Sequence, residues 1–359
     1  MVDAIRSSRP QVTESVPAAG GPTLAYAGLT EGLSYVLPFL EQRRGPTGQH
    51  RRHAASWADI FAGRSVPTAD ILAVGCPSGR VPPESVPRSL LLPLRITLVV
   101  PLDEDTTAVL RRVSRKARQQ HARELRSRSR SLEVATLDRD FDLFYDRMHM
   151  PTMQRRHASA TRTESRATAR QCLFRGGALL FLRESGERVA GLLCRQEHGV
   201  LVIRLAGVRE GADEPYRSGT YMALYILTLQ WAADHGFTRV DLSGCEPFLS
   251  KGIFQFKRKL HPEVTLPNNH FAGKRLWLHI RRDSPPVRDF LVANPMLVHS
   301  PCGGLDAVYF HDAQRPARAD LRWEAPGVRG ARLVDLDAFM AGEPATGETV
   351  ALRTGSGDV

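Results

Sequence analysis

From Arg111 to Arg130 the chain reads RRVSRKARQQHARELRSRSR, nine Lys or Arg residues against one acid, Glu124. A net +8 in so short a window is chemistry for phosphates: an RNA backbone, nucleotide phosphates or an anionic membrane surface. The plainer alternative is a solvated basic face. The rest of the chain is nearly balanced, and such a concentration repels itself without a partner. Val113, Ala117, Ala122 and Leu125, set among long cations, fit a helix with one modest apolar stripe, ended by the Ser-Arg repeat Arg126 to Arg130. Arg111, Arg112, Arg115, Lys116, Arg118 and Arg123 are its candidate polyanion contacts. A second candidate is Pro215-Tyr-Arg-Ser-Gly-Thr220, which opens a periodic helix. There Arg217 offers a guanidinium, Ser218 and Thr220 offer hydroxyls, and Gly219 allows close backbone approach to a phosphate at the helix N-terminus. A third is Asp241, which ends a strand beside Ser243-Gly244. On its position alone it is a strand-end carboxylate that could cap the following turn.

Other motifs are missing. His149 and His157 lack the i,i+4 spacing of a helical metal pair, and no metal site is expected. Asp138, Asp140 and Asp142 lack the Gly and distal Glu of a calcium loop and read as a helix start. No Gly-x-x-x-x-Gly-Lys loop and no Gly-x-Ser-x-Gly elbow occurs, which argues against P-loop NTPases and α/β-hydrolases.

The chain has 359 residues, 42% of them hydrophobic, with Lys+Arg 49, Asp+Glu 38 and a formal net charge of +11. That describes one to three globular domains, neither disordered nor repetitive. The five cysteines are scattered without a Cys-x-x-Cys pair and read as reduced, mostly buried thiols. No secretory signal follows Met1, and the apolar stretch Leu90 to Leu102 is interrupted by Pro93, Arg95 and Pro101. A cytoplasmic protein without a membrane span is expected.

The first 20 residues look frayed, and residues 1–94 form a region without a clear motif. Arg95 to Val100 predicts a strand, and Asp103 to Thr107 supplies caps for the basic helix. Leu132 to Thr136 is a short strand. Phe141, Phe144, Tyr145 and Met148 fall at helical spacing in a helix over Asp140 to Met150 that should stop before Pro151. Ala178 to Arg183, Arg188 to Arg195 and Val200 to Ala206, joined by Gly-containing turns, read as an antiparallel meander. A helix follows from Gly219 to His235, with Met222, Tyr225, Ile226 and Leu229 on one face and Gly236 ending it. Phe237 to Leu242 then returns as a strand parallel to the third meander strand, because a helix of that length cannot close a hairpin. Phe271 to Arg282 carries Trp277 and basic residues, Asp306 to Phe310 reads as a strand, and residues 341–359 read as a disordered tail after an extension over 265–340.

Meander, glycine-bearing loop, helix and parallel strand resemble the second half of a Gcn5-related N-acyltransferase (GNAT) domain. In detail the chain is similar to the FemABX-type and CelD/BioF2-like branch. The carrying segments are Ser114-Arg-Lys-Ala-Arg118, Asp142-Leu-Phe-Tyr145, Glu187-Arg-Val-Ala-Gly191, Tyr216 to Leu224, Trp231-Ala-Ala-Asp-His-Gly236, Val240-Asp-Leu-Ser-Gly244 and Lys251-Gly-Ile-Phe-Gln-Phe-Lys257. They span Arg95 to Val264, in the family's order. The resemblance implies an α/β (α+β) fold with a mixed GNAT-like sheet over 95–264. By analogy, a degenerate first GNAT-like unit would lie in 1–94.

It also implies acyl transfer from a thioester or aminoacyl ester to an amine. That chemistry needs aligned substrates, a path for the amine proton and positive charge near the carbonyl oxygen. The lysine of a Phe-Lys pair lies near the donor ester in FemABX-like proteins, and Phe256-Lys257 matches that pair. Lys257 would stabilise the oxyanion or donor phosphate; alternatively it belongs to a surface run with Arg258 and Lys259. Asp241 would orient or deprotonate the amine, or else only cap its turn; Tyr225 could supply a phenol near the acyl site, but its phase on the helix also suits the core. The chain departs from the family pattern at Ser243, where a glycine is usual, at Lys259-Leu-His-Pro262, where Phe-Gly often follows, and in the loop before the helix. That loop keeps only Arg217 and Gly219 of the CoA-binding pattern.

Three functions follow, none with a bound cofactor. The first is aminoacyl transfer from aminoacyl-tRNA to an amine-bearing acceptor, with tRNA as partner of the basic helix. The second is acyl-CoA-dependent N-acylation of a small amine or biosynthetic intermediate, and the third is a non-catalytic RNA- or anion-binding module. Oligomeric state is open.

Overall fold

The computed structural model describes residues 9–83, 86–102, 106–157, 163–300 and 302–345. The proposed helix caps at Asp103 to Asp105, and the tail from residue 346 on, lie outside the described residues. The chain divides into two compact units: one of Met1–Ile96, Gly244–Gln255 and Thr265–Val359, the other of Thr97–Ser243 and Phe256–Val264.

The first unit opens with β1 (Gln11–Pro17) and β2 (Leu24–Gly28), followed by α1 (Thr30–Arg44), β3 (Thr47–Ala54), α2 (Trp57–Phe61), β4 (Ile71–Pro77) and β5 (Ser89–Pro93). The expectation of a frayed start, which over residues 1–8 lies outside the described residues, is corrected at Gln11–Pro17, where β1 pairs with both β2 and β3 and buries Val12, Thr13 and Ser15. Its alternation of small polar and apolar residues is a weak signal, and the neighbours on either side supply the burial. β2 and β4 are parallel, with α1, β3 and α2 between them in sequence.

The second unit begins at β6 (Ile96–Pro101) and continues through α3 (Thr106–Arg112), α4 (Arg115–Ser127), β7 (Ser131–Ala135), α5 (Asp138–Phe144), α6 (Met150–His157) and α7 (Arg166–Thr168). Two predictions need correcting here. The basic run is not one helix: Ser114 is extended (φ −51°, ψ 139°) and donates its N–H to Lys259 O at 2.8 Å, while Val113 is buried. Nor does the helix of Phe141 and Phe144 stop before Pro151. A π turn over Tyr145–His149 joins α5 to α6, so the missing N–H of Pro151 falls where the hydrogen-bond register has already changed. Asp140, read as part of a helix start, accepts the Leu137 N–H at 3.2 Å.

After a second π turn (Ala169–Phe174) come β8 (Gly177–Glu184), β9 (Glu187–Glu197) and β10 (Val200–Val208), an antiparallel meander as expected. Both hairpins turn through two left-handed residues, Ser185-Gly186 (φ 48° and 87°) and His198-Gly199 (φ 46° and 79°). That twist matches the flanking strands, and the second position of each is the glycine that adopts it without cost. α8 (Glu214–Arg217) and α9 (Thr220–Asp234) lead to β11 (Arg239–Cys245), which runs parallel to β10 and starts two residues later than the sequence suggested. α9 is buried on most of its circumference, with Tyr221, Ala223, Leu224, Tyr225, Ile226 and Leu229 inside and Met222 only half-buried. α10 (Gly252–Arg258) and β12 (Glu263–Thr265) complete a seven-stranded sheet in the order β12-β6-β11-β10-β9-β8-β7. Its core joins Phe141, Phe144 and Met148 to Leu179, Phe181, Leu193 and Leu205.

The chain then returns to the first unit with β13 (Lys274–Ile280), α11 (Pro285–Ala293), β14 (Met296–His299), β15 (Leu305–His311), β16 (Val328–Asp335) and α12 (Leu336–Ala341). β13 inserts between β4 and β5, giving a six-stranded sheet β3-β1-β2-β4-β13-β5, and β14-β15-β16 form a small third sheet. Residues 1–94 and 265–340, distinct regions in the sequence reading, are thus interleaved in one unit. No described helix is long and apolar enough to cross a membrane.

Candidate functional site

Along β11, Val240 and Leu242 are buried, so the period of two places Asp241 and Ser243 on the other face. The β10–β11 ladder covers only Val200↔Arg239, Leu201↔Val240 and Val202↔Asp241, and β10 bulges between Ile203 and Leu205. Past that point the Ser243 hydroxyl donates to Ile203 O, in place of a backbone pair. Ser243 itself is left-handed (φ 65°), the conformation that suits the glycine usual at this position. Its N–H donates to Asp241 Oδ1 at 2.7 Å, and its carbonyl accepts from Lys257 Nζ at 3.0 Å. One backbone turn therefore gathers Asp241, Ser243 and Lys257.

Lys257, reached from α10, is 4% exposed, so it is not part of a surface Lys-Arg-Lys run. Burial raises the Asp241 carboxyl above its ordinary value, against the opposing pull of the Ser243 N–H and the Lys257 and Arg204 cations. The turn-capping bond expected of Asp241 is present; its partly exposed carboxylate also faces the lysine's field. Ser243→Gly should keep stability within about 1 kcal/mol, because relief of the left-handed strain offsets the lost hydroxyl bond. Ser243→Val should cost about 2–4 kcal/mol, since a β-branched residue resists that conformation and makes no bond; urea unfolding of both variants checks the pair.

Phe256, which precedes Lys257 on α10, belongs to an aromatic cluster. Phe256 lies 5.2 Å from both Tyr221 and Tyr225, measured between ring centroids. Tyr225 is 3% exposed, as its core phase predicted, and burial raises both phenols, so both stay protonated near neutral pH and neither serves as a base.

The entrance to α9 differs from the open cradle read from Arg217, Ser218, Gly219 and Thr220. Gly219 is left-handed (φ 78°), and a Cβ there would come within 2.5 Å of the Gln120 side chain. Gln120 donates to Ser218 O (3.2 Å) and Glu124 (2.9 Å). Thr220 is fully buried, donates to Glu184 at 2.7 Å and accepts from Arg130 at 2.9 Å. Arg130 also grips Glu124 and Glu184, each at 2.6 Å. Arg217 projects outward, 83% exposed, with Asp213 at 4.0 Å. Arg130, Glu184 and Glu124 were not singled out in the sequence; a lone acid inside a basic run was the available signal.

The polyanion candidates divide. Arg115, Lys116 and Arg123 are exposed on α4, as are Arg111 on α3 and Arg126. Arg112 is half-buried and donates to Pro101 O at 2.9 Å; Arg118 is half-buried on the inner side of α4. His149 is buried, with Nδ1 on Ala206 O at 2.9 Å, and serves the core. Among the described residues no group of three His, Cys, Asp or Glu is placed to hold a metal. Open clefts of about 320 Å³, at Glu133, Arg183, Arg188 and Arg209, and about 380 Å³, at Asp283, Arg288, Asp312 and Arg315, do not include the Asp241–Lys257 cluster.

A meander feeding a helix and a parallel strand, with the ladder ending early, is a GNAT-like fold. Residues 106–258 match the family model described as the acetyltransferase (GNAT) domain. None of the curated proteins matches the sequence. Among solved structures the chain is similar to L-PGS from Bacillus licheniformis, with 13% identity over 79% of this chain and 85% of that one and a TM-score of 0.36. It is also similar to FemX, with 12% identity over 76% and 84% and a TM-score of 0.42. A GCN5-related N-acetyltransferase from Kribbella flavida shares 11% identity over 91% and 72%, with a TM-score of 0.26.

Proposed function

We propose that this chain transfers an aminoacyl group from aminoacyl-tRNA to an amine. The observation that carries the choice of donor is the contrast between the two anion sites. At the α9 entrance, Gln120 packs on Gly219 and the Glu184 carboxylate bonds Thr220, so a side chain and a negative charge stand at the helix start, which disfavours a pyrophosphate there. On α4, by contrast, Arg115, Lys116 and Arg126 are exposed and have no carboxylate partner among the described residues. Surface cations of this kind suit a phosphate backbone.

In the reaction the amine nitrogen attacks the ester carbonyl carbon and the ester C–O bond breaks, releasing the tRNA hydroxyl. Asp241, raised by burial, takes the amine proton, which then passes to the leaving ester oxygen. Lys257, held on Ser243 O, supplies the positive charge that stabilises the oxyanion of the tetrahedral state.

Filter binding of a total aminoacylated tRNA pool, with uncharged tRNA as control and CoA as competitor, tests the donor. Preference for charged tRNA, indifferent to CoA, is expected. Equal or weak binding of both pools rejects the tRNA donor, and displacement by CoA points to acyl-CoA in its place. Reversing Arg115, Lys116 and Arg123 to Glu should weaken tRNA binding at least about tenfold and reduce the slope of log affinity against log salt by about 2–3.

A further inference from the structure

The face of the seven-stranded sheet that carries Asp241 continues onto β10 and β9. Val202 pairs with Asp241 on one side and with Arg195 on the other, so these three stand in one row. Arg195 is already engaged, with Glu197 at 2.8 Å. The next cation is Arg204, which occupies the bulge between Ile203 and Leu205. Bulges re-aim a side chain, and this one lies where the β10–β11 ladder has ended.

Arg204 is exposed and donates to Glu164 Oε1 at 2.6 Å. Glu164 belongs to a segment fixed from behind by two bonds: Tyr145 Oη donates to Glu164 O at 2.8 Å, and the Thr163 hydroxyl meets His149 Nε2. In this chain, then, a carboxylate oxygen already occupies the bonding position of the Arg204 guanidinium. Two rows of one parallel pair separate Arg204 from Asp241, roughly 7–8 Å between backbones. Their field is felt, since Arg204 is among the cations that oppose the rise of the Asp241 carboxyl.

An acceptor amine has its nitrogen at Asp241 if the reading above holds, and this inference rests on that reading. From the geometry of this face we infer that the acceptor is a small zwitterion, a primary amine with a carboxylate or phosphate a few bonds away, whose anionic end displaces Glu164 from Arg204. Arg204 selects the acceptor; Glu164 holds its place when the site is empty.

Isothermal titration of the full chain with β-alanine, O-phosphoethanolamine, ethanolamine and ethyl phosphate tests this without activity. At least one zwitterion is expected to bind about tenfold or more tightly than ethanolamine or ethyl phosphate, and which of the two binds tells carboxylate from phosphate. Arg204→Gln should abolish that preference, whereas Glu164→Gln, which removes the competing carboxylate, should tighten zwitterion binding severalfold. A merely structural ion pair moves both variants in the same direction, and that result overturns the inference. So does the absence of zwitterion binding or preference in the unaltered chain. Neither outcome touches the tRNA measurement, in which these residues take no part.

Discussion

Lys257→Met should lower kcat by about 10²–10³-fold while leaving the affinity for aminoacyl-tRNA within about twofold. The basis is placement: Nζ is held at 3.0 Å on the Ser243 carbonyl, and the lysine is 4% exposed. Removing one pre-oriented donor from a developing oxyanion costs that much in other acyl transfers, because a buried donor needs no reorganisation as charge appears. Methionine keeps most of the volume, so the loss reports charge and hydrogen bonding more than a cavity. Single-turnover rates with saturating charged tRNA separate the step from binding. Unchanged kcat would remove Lys257 from the chemistry, and tRNA binding without any transfer by the unaltered protein would favour a non-catalytic anion-binding module.

Asp241→Asn should have two opposite effects. As the base for the amine proton its loss should cost about 10²–10⁴ in kcat/KM. The same change should raise stability at neutral pH. The native carboxyl has a pKa raised above the unfolded value by burial, so the folded state binds the proton more tightly than the unfolded state does. Stability associated with this group is therefore fully present below the unfolded aspartate range and is lost as pH rises through the native pKa. Asparagine never ionises and still accepts the Ser243 N–H. Thermal unfolding should give Asp241→Asn the higher midpoint near pH 7, with the difference shrinking as pH falls below the ordinary aspartate range. A lower midpoint at pH 7 would mean that the Lys257 and Arg204 fields outweigh burial. Activity of the unaltered protein should fall on the acid side at a pH above the usual carboxylate range.

The meander and crossover were legible because their signals are local. Strands of period two, two Gly-closed turns and a helix ended by Gly236 leave few ways to connect, and the parallel pairing of Val200–Val202 with Arg239–Asp241 follows. The candidate site was legible as residue types: Asp241 from its strand end, Lys257 from the resemblance of its Phe-Lys pair. Their meeting was not, since it depends on Ser243 taking a left-handed turn and on α10 returning to that turn.

What the sequence alone determined is the order of elements and the concentration of cations near residue 120, because periodicity, turn chemistry and charge are properties of neighbours in the chain. The tertiary structure decided which of those cations face outward. Ser114 breaks the helix by bonding Lys259, Arg130 turns inward to Glu124, Glu184 and Thr220, and Gln120 covers Gly219. Each partner lies tens of residues away or is chosen by packing, and a buried arginine is paired because an unpaired buried charge costs several kcal/mol, roughly, whichever carboxylates the fold brings to it.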